Sequence, residues 1–293
     1  MLLSAILGIV LFGTLYPLVA EALGAKVSVG PPYFNPVSAL FFLPMLVVLA
    51  VGPLLRWRRD RLDRFAKRLL IPVAVVVIAG IVAWWVGGAG LLPYLGLVFG
   101  AGLAVASVLP LRDRNLRRTP LPIWGMVVAH FGVAIALLGA ASDSAFSTER
   151  LIALRPGEST SVGPWSVRLA GVEPVAGPNW TALEGRLIAS YAGAKSVVVR
   201  PQARSFWSPP QQTSESALLT RWNGQLYTVL GEQVPDGRWQ VRLWWKPFVT
   251  LIWLGGILIA LGGVLAVIGH VSSDLRRIVA RGKIAYRREK QGR

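Results

Sequence analysis

The sequence contains no cysteine and only two histidines, His130 and His270, in 293 residues. The missing thiols exclude a disulfide framework, a thiolate zinc site and a catalytic cysteine, and two imidazoles are too few for a multi-histidine metal cage. Charged residues are also scarce, at 15%, against about 25% in soluble globular proteins. Hydrophobic residues make up 54% of the chain, and the mean hydropathy is +0.54. The composition therefore predicts a membrane protein.

Six hydrophobic stretches are long enough to cross a bilayer, which takes roughly 20 helical residues. These stretches are Met1–Ala20, Val37–Leu55, Leu69–Val86, Leu91–Pro110, Leu121–Ala141 and Phe248–Gly269. We interpret the first as a true span rather than a signal peptide, because no Lys or Arg precedes its long apolar run. The predicted organisation is five spans in residues 1–141, an inserted domain in 142–247, a sixth span in 248–269 and a basic tail in 270–293.

Most of the basic residues lie in three segments on one face of the predicted bundle. The segments Arg56–Arg68, Leu111–Thr119 and Val271–Arg293 together carry 19 basic and 5 acidic residues, whereas the large polar segment Ser142–Pro247 carries 11 and 8. Short loops rich in Lys and Arg remain in the cytoplasm. We therefore expect both termini to be cytoplasmic and the inserted domain to be periplasmic. The net charge of +17 is thus mainly a topology signal and does not indicate nucleic-acid binding.

The inserted segment has the period-two pattern of β-strands, as in Trp165–Leu169. Hairpin turns are indicated at Asn223–Gly224 and at Asp236–Gly237. We expect six or seven strands in a small antiparallel sandwich or barrel, with the proline-rich stretch Pro201–Pro210 as a loop across one end. The segment contains neither histidine nor cysteine, which favours a binding or scaffold domain over a hydrolytic one.

Two smaller features suggest where the chain meets the membrane surface. The glycine and prolines of Val27–Asn35 (VSVGPPYFN) predict a stiff connector between the first two spans. The pairs Trp84–Trp85 and Trp244–Trp245 suit the aromatic belt at the outer interface.

His130 is the residue most able to carry chemistry, because it lies near the middle of the fifth span. A charged side chain there costs about 2.5 kcal/mol or more if it faces lipid, so the imidazole should be neutral, buried and partnered. A neutral imidazole can ligate a haem iron, or it can hydrogen-bond a neighbouring helix, and composition favours neither role. Nearby small residues would let another helix or a flat macrocycle approach closely. They are Gly125, Ala129, Gly132 and Ala136.

His270 lies at the cytoplasmic end of the sixth span, where a solvated histidine is expected. His130 lies about nine residues deeper, which is roughly 13 Å along a helix axis. The two axial nitrogens of one haem iron are far closer together than that. A second ligand for a haem at His130 must therefore come from outside this chain.

Four sequence segments together resemble one family. They are GTLYPL (Gly13–Leu18), VSVGPPYFN (Val27–Asn35), WGMVVAHFG (Trp124–Gly132) and KPFVTLIWLGGILIALGG (Lys246–Gly263). Their order and spacing, with the intervening β domain, are similar to the C-terminal half of the haem lyase of bacterial cytochrome c maturation, the CcmF/CycK/NrfE family. The resemblance implies a transmembrane haem b held by two histidines, the second of which corresponds to His130.

The resemblance also implies that parts of the family's machinery lie outside this sequence. The tryptophan-rich WWD segment, two periplasmic haem-handling histidines and the first transmembrane histidine have no counterpart here. The partners that the resemblance implies are the N-terminal WWD half, a haem chaperone, apocytochrome c with its CxxCH motif and the thiol-reducing chaperone of that apocytochrome. Membrane lipid and quinol, as the proposed electron donor, complete the expected set. The family assembly attaches haem to apocytochrome c outside the inner membrane, and this chain alone would not be a complete enzyme.

The expected fold is a polytopic α-helical membrane protein of about six transmembrane helices with an inserted small antiparallel β domain outside the membrane. Two other functions remain open from the sequence. One is a non-catalytic assembly or anchoring protein that displays the β domain to partners, and the other is half of a transporter. A transporter usually has intramembrane carboxylates, whereas the predicted spans contain none apart from Glu21 near the end of the first.

Overall fold

The computed structural model describes residues 1–55, 62–112 and 114–291 of the chain. Its long helices are α1 (Leu2–Ala22), α2 (Pro31–Val51), α3 (Leu62–Val86), α4 (Leu91–Val108), α5 (Leu121–Phe146) and α6 (Thr250–Gln291). Across these described ranges, six helices are long and apolar enough to cross a membrane. The predicted number of spans is therefore confirmed. Residues 56–61 of the predicted basic loop, with Asp113, Gly292 and Arg293, lie outside the described residues.

Helix α2 begins at Pro31, within the segment that was expected to be a connector. Gly30 is the extended N-cap and two prolines occupy the first turn, where a missing backbone N–H costs nothing. Tyr33 and Phe34 therefore lie on the helix, and their rings pack on Gly13 of α1. A methyl group at Gly13 would lie 2.6 Å from a ring carbon of Phe34, so this glycine lets α1 and α2 approach closely.

The last two helices extend beyond the apolar stretches seen in the sequence. Helix α5 continues to Phe146, and α6 continues as helix through the basic tail to Gln291. Hydropathy detects only the apolar part of such helices, because their polar ends carry no periodic apolar signal.

The helical unit has its buried centre where α2, α4 and α5 meet. Leu46, Leu103 and Ala134, one from each helix, are at most 1% exposed. Small residues permit this packing: a methyl group on Gly100 of α4 would lie 3.0 Å from Leu138 of α5. Helix α3 is joined to α4 by a 3.0 Å hydrogen bond that the Tyr94 hydroxyl donates to the carbonyl of Gly80.

The inserted segment forms an antiparallel β-sandwich. Its strands are β1 (Thr148–Leu154), β2 (Ser159–Val162), β3 (Trp165–Ala176), β4 (Trp180–Tyr191), β5 (Val197–Val199), β6 (Gln202–Trp207), β7 (Pro210–Glu215), β8 (Ala217–Arg221), β9 (Gly224–Gln233) and β10 (Trp239–Pro247). One sheet has the order β1-β10-β9-β8 and the other β2-β3-β4-β6-β7, with β5 also paired to β4. Short strands such as β2 and β5 bring the described total above the six or seven expected.

Alternating residues of both sheets form the sandwich core. Val167, Leu187, Leu226 and Leu243 are fully buried, and polar neighbours such as Arg168 and Arg242 face outward. This alternation follows from the two-residue period of a strand.

An aromatic cluster fills one part of this core. The ring centroids of Trp165 and Tyr191 lie 5.2 Å apart, and those of Tyr191 and Trp245 lie 6.0 Å apart. Trp245 is only 7% exposed, so the expectation that it anchors at a membrane interface is wrong. The position of Trp245 in the alternating pattern of a β-strand is a better indication of its burial than its position next to a span is of anchoring.

The expected loop at Pro201–Pro210 is also wrong, because most of this stretch is strand. Residues of β6 pair with β4 on one side and with β7 on the other. Pro209 lies in the β6–β7 turn and Pro210 begins β7. Strand β7 pairs with β6 and ends its sheet, and edge strands tolerate proline because one row of N–H groups needs no partner.

Candidate functional site

His130 is half-buried on α5, and its side chain forms a hydrogen bond within the same helix. The ring Nδ1 lies 2.8 Å from the carbonyl oxygen of Met126. A carbonyl can only accept, so Nδ1 carries the proton and donates to Met126. In a neutral imidazole Nε2 then presents its lone pair, and no hydrogen bond joins it to the residues that the structure describes. A histidine that bonds its own helix leaves its second nitrogen available as a ligand.

The small-residue stripe of α5 is covered by α6 rather than left open. A methyl group on Gly125 would lie 2.6 Å from the carbonyl oxygen of Gly262, and one on Gly132 would lie 2.8 Å from that of Gly255. Such contacts leave room for backbone against backbone only. Of the two expected uses of this stripe, close approach of another helix is the one that the structure shows.

His130 lies on a different face of α5 from this stripe. It stands roughly 130° around the helix axis from the centre of the stripe, at about 100° per residue. Ala134 and Leu137 follow it at the i+4 and i+7 positions, so the three share a face. Ala134 is fully buried against Leu46 and Leu103. The imidazole is therefore on the side of α5 that faces α2 and α4.

His270 has similar local bonding but a different environment. Its Nδ1 lies 2.7 Å from the carbonyl oxygen of Ala266, and its side chain is exposed. Contacts of Gly262 with Ala129 and of Gly269 with Pro122 fix the antiparallel register of α5 and α6. In this register His270 lies beside the start of α5, about nine residues from the level of His130. The two imidazoles are thus roughly 13 Å apart in depth and cannot ligate one iron.

The β-sandwich offers carboxylates that are already paired. The guanidinium of Arg242 lowers the pKa of Glu149, Arg200 together with Gln202 lowers that of Glu184, and Arg238 lowers that of Asp236. Ionised, hydrogen-bonded carboxylates are poor general acids. In the described part of the chain, no group of three or more His, Asp or Glu residues could hold a metal ion.

The sandwich also contains an open groove of about 840 Å³ that the sequence did not indicate. Its walls come from β3, β4, β6, β7, β9 and the start of β10, and they include Leu183, Arg204, Thr213 and Trp239. Arg204 stacks on Trp180 at 4.4 Å and is ion-paired to Glu215 at 3.1 Å. Strands far apart in sequence build this groove, so no local sequence signal could have revealed it.

Comparisons with known proteins agree with this architecture. A family model described as the CcmF C-terminal beta-sandwich matches residues 145–247. The chain is 35% identical over 274 residues to the cytochrome c-type biogenesis protein CycK of Rhizobium meliloti (strain 1021), covering 88% of this chain and 40% of that protein. It is 33% identical over 264 residues to the cytochrome c-type biogenesis protein CcmF of Escherichia coli (strain K12), covering 88% of this chain and 41% of that protein.

A solved structure shows the same arrangement of elements. The cytochrome c haem lyase CcmF superposes with a TM-score of 0.72 at 25% identity, over 90% of this chain and 44% of that one. The chain thus spans about two fifths of the length of the curated relatives that it matches.

Proposed function

The chain belongs to the CcmF/CycK/NrfE family of cytochrome c biogenesis proteins, whose C-terminal part it matches, and we propose that it is a membrane subunit of a cytochrome c haem lyase. In this proposal His130 supplies one axial ligand of a transmembrane haem b. The complete lyase, formed with an N-terminal WWD-containing half, attaches haem to apocytochrome c.

The observation that carries the ligand proposal is the hydrogen bond from His130 Nδ1 to the carbonyl of Met126 at 2.8 Å. Ligating histidines usually donate their other ring N–H to an oxygen acceptor, which fixes the tautomer and orients the ring. Here the acceptor is on the same helix, so the orientation of the ring does not depend on a partner helix. The neutral, half-buried imidazole fits an axial haem ligand, and the bound haem would supply one-electron redox chemistry.

In this proposal the second axial ligand comes from the N-terminal half, because His270, the other histidine of this sequence, lies at a different depth. A proposed orientation of the chain is consistent with this assembly. We propose that the basic segments face the cytoplasm and that the sandwich faces the periplasm of a bacterial inner membrane, where haem meets apocytochrome c.

The β-sandwich is proposed to contribute docking rather than haem ligation. It contains neither His nor Cys, and its carboxylates Glu149, Glu184 and Asp236 are paired with arginines. Its partners in this role are the haem chaperone, apocytochrome c and the thiol-reducing chaperone, while quinol would supply electrons through the membrane part.

The test is the visible spectrum of the chain purified with its N-terminal half. The unaltered pair should show a six-coordinate low-spin haem. His130→Ala should abolish this signal or convert it to high spin, and added imidazole should partly restore it by filling the vacated coordination position.

The matched control is His270→Ala, which removes a histidine with similar local bonding from an exposed site. It should leave the spectrum unchanged. A normal low-spin haem in His130→Ala, together with normal cytochrome c maturation, would show that His130 is a packing residue and would favour an anchoring role for the chain.

A further inference from the structure

A second groove, of about 570 Å³, lies within the helical unit at the ends of α2, α3 and α4. Apolar side chains form part of its wall, among them Leu54, Ile71 and Leu109. Its other side chains are basic: Lys67, Arg68, Arg112 and Arg114. The described lining contains no aspartate or glutamate, so the groove combines an apolar wall with a positive rim.

Two of the arginines are held in place by the ends of neighbouring segments. Arg68 donates a hydrogen bond of 3.0 Å to the carbonyl of Leu54, just after α2. Arg114 donates through Nε to the carbonyl of Pro110 at 3.1 Å, just after α4. Both bonds satisfy carbonyls that a helix end leaves without an intrahelical partner. Lys67 and Arg112 are exposed at the rim.

The position of the groove decides which kind of anion it suits. The apolar spans Pro31–Leu54, Phe65–Val86 and Leu91–Leu111 all end at this groove. The basic rim is therefore at the level of lipid headgroups, and the apolar wall continues into the hydrocarbon. A soluble phosphate would contact only the basic rim, whereas a phospholipid would contact the rim with its headgroup and the apolar wall with an acyl chain.

We propose that this groove binds the phosphodiester headgroup of an anionic phospholipid from the leaflet that faces the basic loops. Lys67 and Arg112 contact the phosphate oxygens through charge-assisted hydrogen bonds, and an acyl chain lies along Ile71 and Leu109. Basic pockets between transmembrane helices commonly bind such headgroups. The bound lipid would join the ends of three helices, and this role does not depend on haem ligation at His130.

The test is native mass spectrometry of the full chain in detergent, titrated with dioleoylphosphatidylglycerol. Dioleoylphosphatidylcholine and soluble glycerol 3-phosphate are measured in parallel. Phosphatidylglycerol should bind, and the other two should bind at least tenfold more weakly. In Lys67→Gln/Arg112→Gln the affinity for phosphatidylglycerol should fall about 30-fold, since each basic side chain near an anionic surface contributes about fivefold.

The matched control is Arg117→Gln/Arg118→Gln, which removes two exposed charges from the same face but outside the groove lining. It should change the affinity less than threefold. An equal loss in both double variants would overturn the proposal in favour of diffuse surface attraction. Tight binding of glycerol 3-phosphate would overturn it in favour of a soluble phosphate ligand.

Folding of each variant is checked by circular dichroism and gel filtration. If the double groove variant does not fold, Lys67→Gln alone should lower the affinity about fivefold. An unchanged affinity in that folded variant would also overturn the proposal.

Discussion

The contact between α5 and α6 predicts that replacing either of two adjacent glycines by alanine changes the stability of the helical unit in opposite directions. Gly262 faces α5, and a methyl group there would lie 2.6 Å from the carbonyl oxygen of Gly125. Gly263 is next in the chain, and a methyl group there would meet nothing within 4 Å. We therefore expect Gly262→Ala to destabilise the helical unit and Gly263→Ala to leave it intact or slightly more stable.

The size of the expected loss of stability in Gly262→Ala follows from the distances between the added methyl group and the atoms of α5. Ordinary carbon contacts begin near 3.4 Å, and the backbone nitrogen of Ala129 lies even closer to the added methyl group than the oxygen of Gly125 does, so the helices must separate by about 1 Å to admit the methyl group of Gly262→Ala. The nitrogen of Ala129 and the oxygen of Gly125 are both backbone atoms, so neither can move aside as the end of a flexible side chain could. Overpacking of this kind costs about 1–3 kcal/mol. Removing a helix-interior glycine gains roughly 0.5–1 kcal/mol in each variant, and this gain cancels when the two variants are compared.

The measurement is reversible unfolding of the two variants in mixed micelles of mild detergent and sodium dodecyl sulfate. Gly262→Ala should unfold at a lower denaturant fraction, with a free energy of unfolding about 1–3 kcal/mol below that of Gly263→Ala. Equal stability of the two variants would refute the close packing of α5 on α6. Gly256→Ala, another open position on α6, should behave like Gly263→Ala.

Three further predictions concern topology and the β-sandwich. An alkaline phosphatase fusion should be active at Asn223 and silent at Arg64, since the basic segments are expected in the cytoplasm; the reverse pattern would contradict the orientation. Replacement of Thr148–Pro247 by a short linker should impair cytochrome c maturation but retain the haem spectrum of the assembled pair; loss of haem from properly inserted helices would show that the sandwich closes the haem site. Hydrogen bonds from Arg200 and Gln202 lower the pKa of Glu184. The stability that this pairing contributes is therefore fully present above the pKa of Glu184 in the unfolded chain, near 4.3. It is lost as the pH falls through the lower pKa that Glu184 has in the folded chain. Glu184→Gln should therefore show a smaller drop in thermal midpoint between pH 7 and pH 3 than the unaltered chain, followed by near-ultraviolet circular dichroism, and an equal drop would contradict this role for the ion pair.

The helices could be predicted from the sequence because their signal is local. A run of about 20 apolar residues specifies a span whatever packs against it. The hydropathy pattern begins the second span at Val37 rather than at Pro31, because Pro31 and Pro32 suggest a break, although proline is also favoured in the first turn of a helix. Residues 31–36 are therefore part of α2 and not of the connector.

The sandwich was predicted as a class but not in its details. The predicted turns at Asn223–Gly224 and Asp236–Gly237 lie where β8 meets β9 and where β9 is followed by β10. Strand β6 was missed because its neighbouring prolines suggested a loop, and because its pairing with β4 is non-local. The groove beside Arg204 depends on strands from both sheets, so only the folded chain could reveal it.

The location of His130 could be predicted from the sequence, but the use of the stripe beside it could not. Gly125, Gly132 and Gly139 recur every seven residues on α5, and Gly255, Gly262 and Gly269 do the same on α6. Matching repeats on two helices indicate that each covers the other, but the small residues of α5 alone do not show which partner covers them. Because α6 covers that stripe, a macrocycle at His130 cannot use it and must approach from another side of α5.

Helix α5 is held by packing on two of its faces, and His130 lies on one of them. The glycine stripe fixes the helix against α6, and the face that includes Ala134 fixes it against α2 and α4. The hydrogen bond to Met126 then sets the tautomer of His130 without help from any other helix. These contacts all lie inside this chain, so they can orient the imidazole without a contribution from another polypeptide. A preoriented ligand loses less entropy when its partner arrives, which is the physical reason to expect that the proposed haem would meet an imidazole already in position.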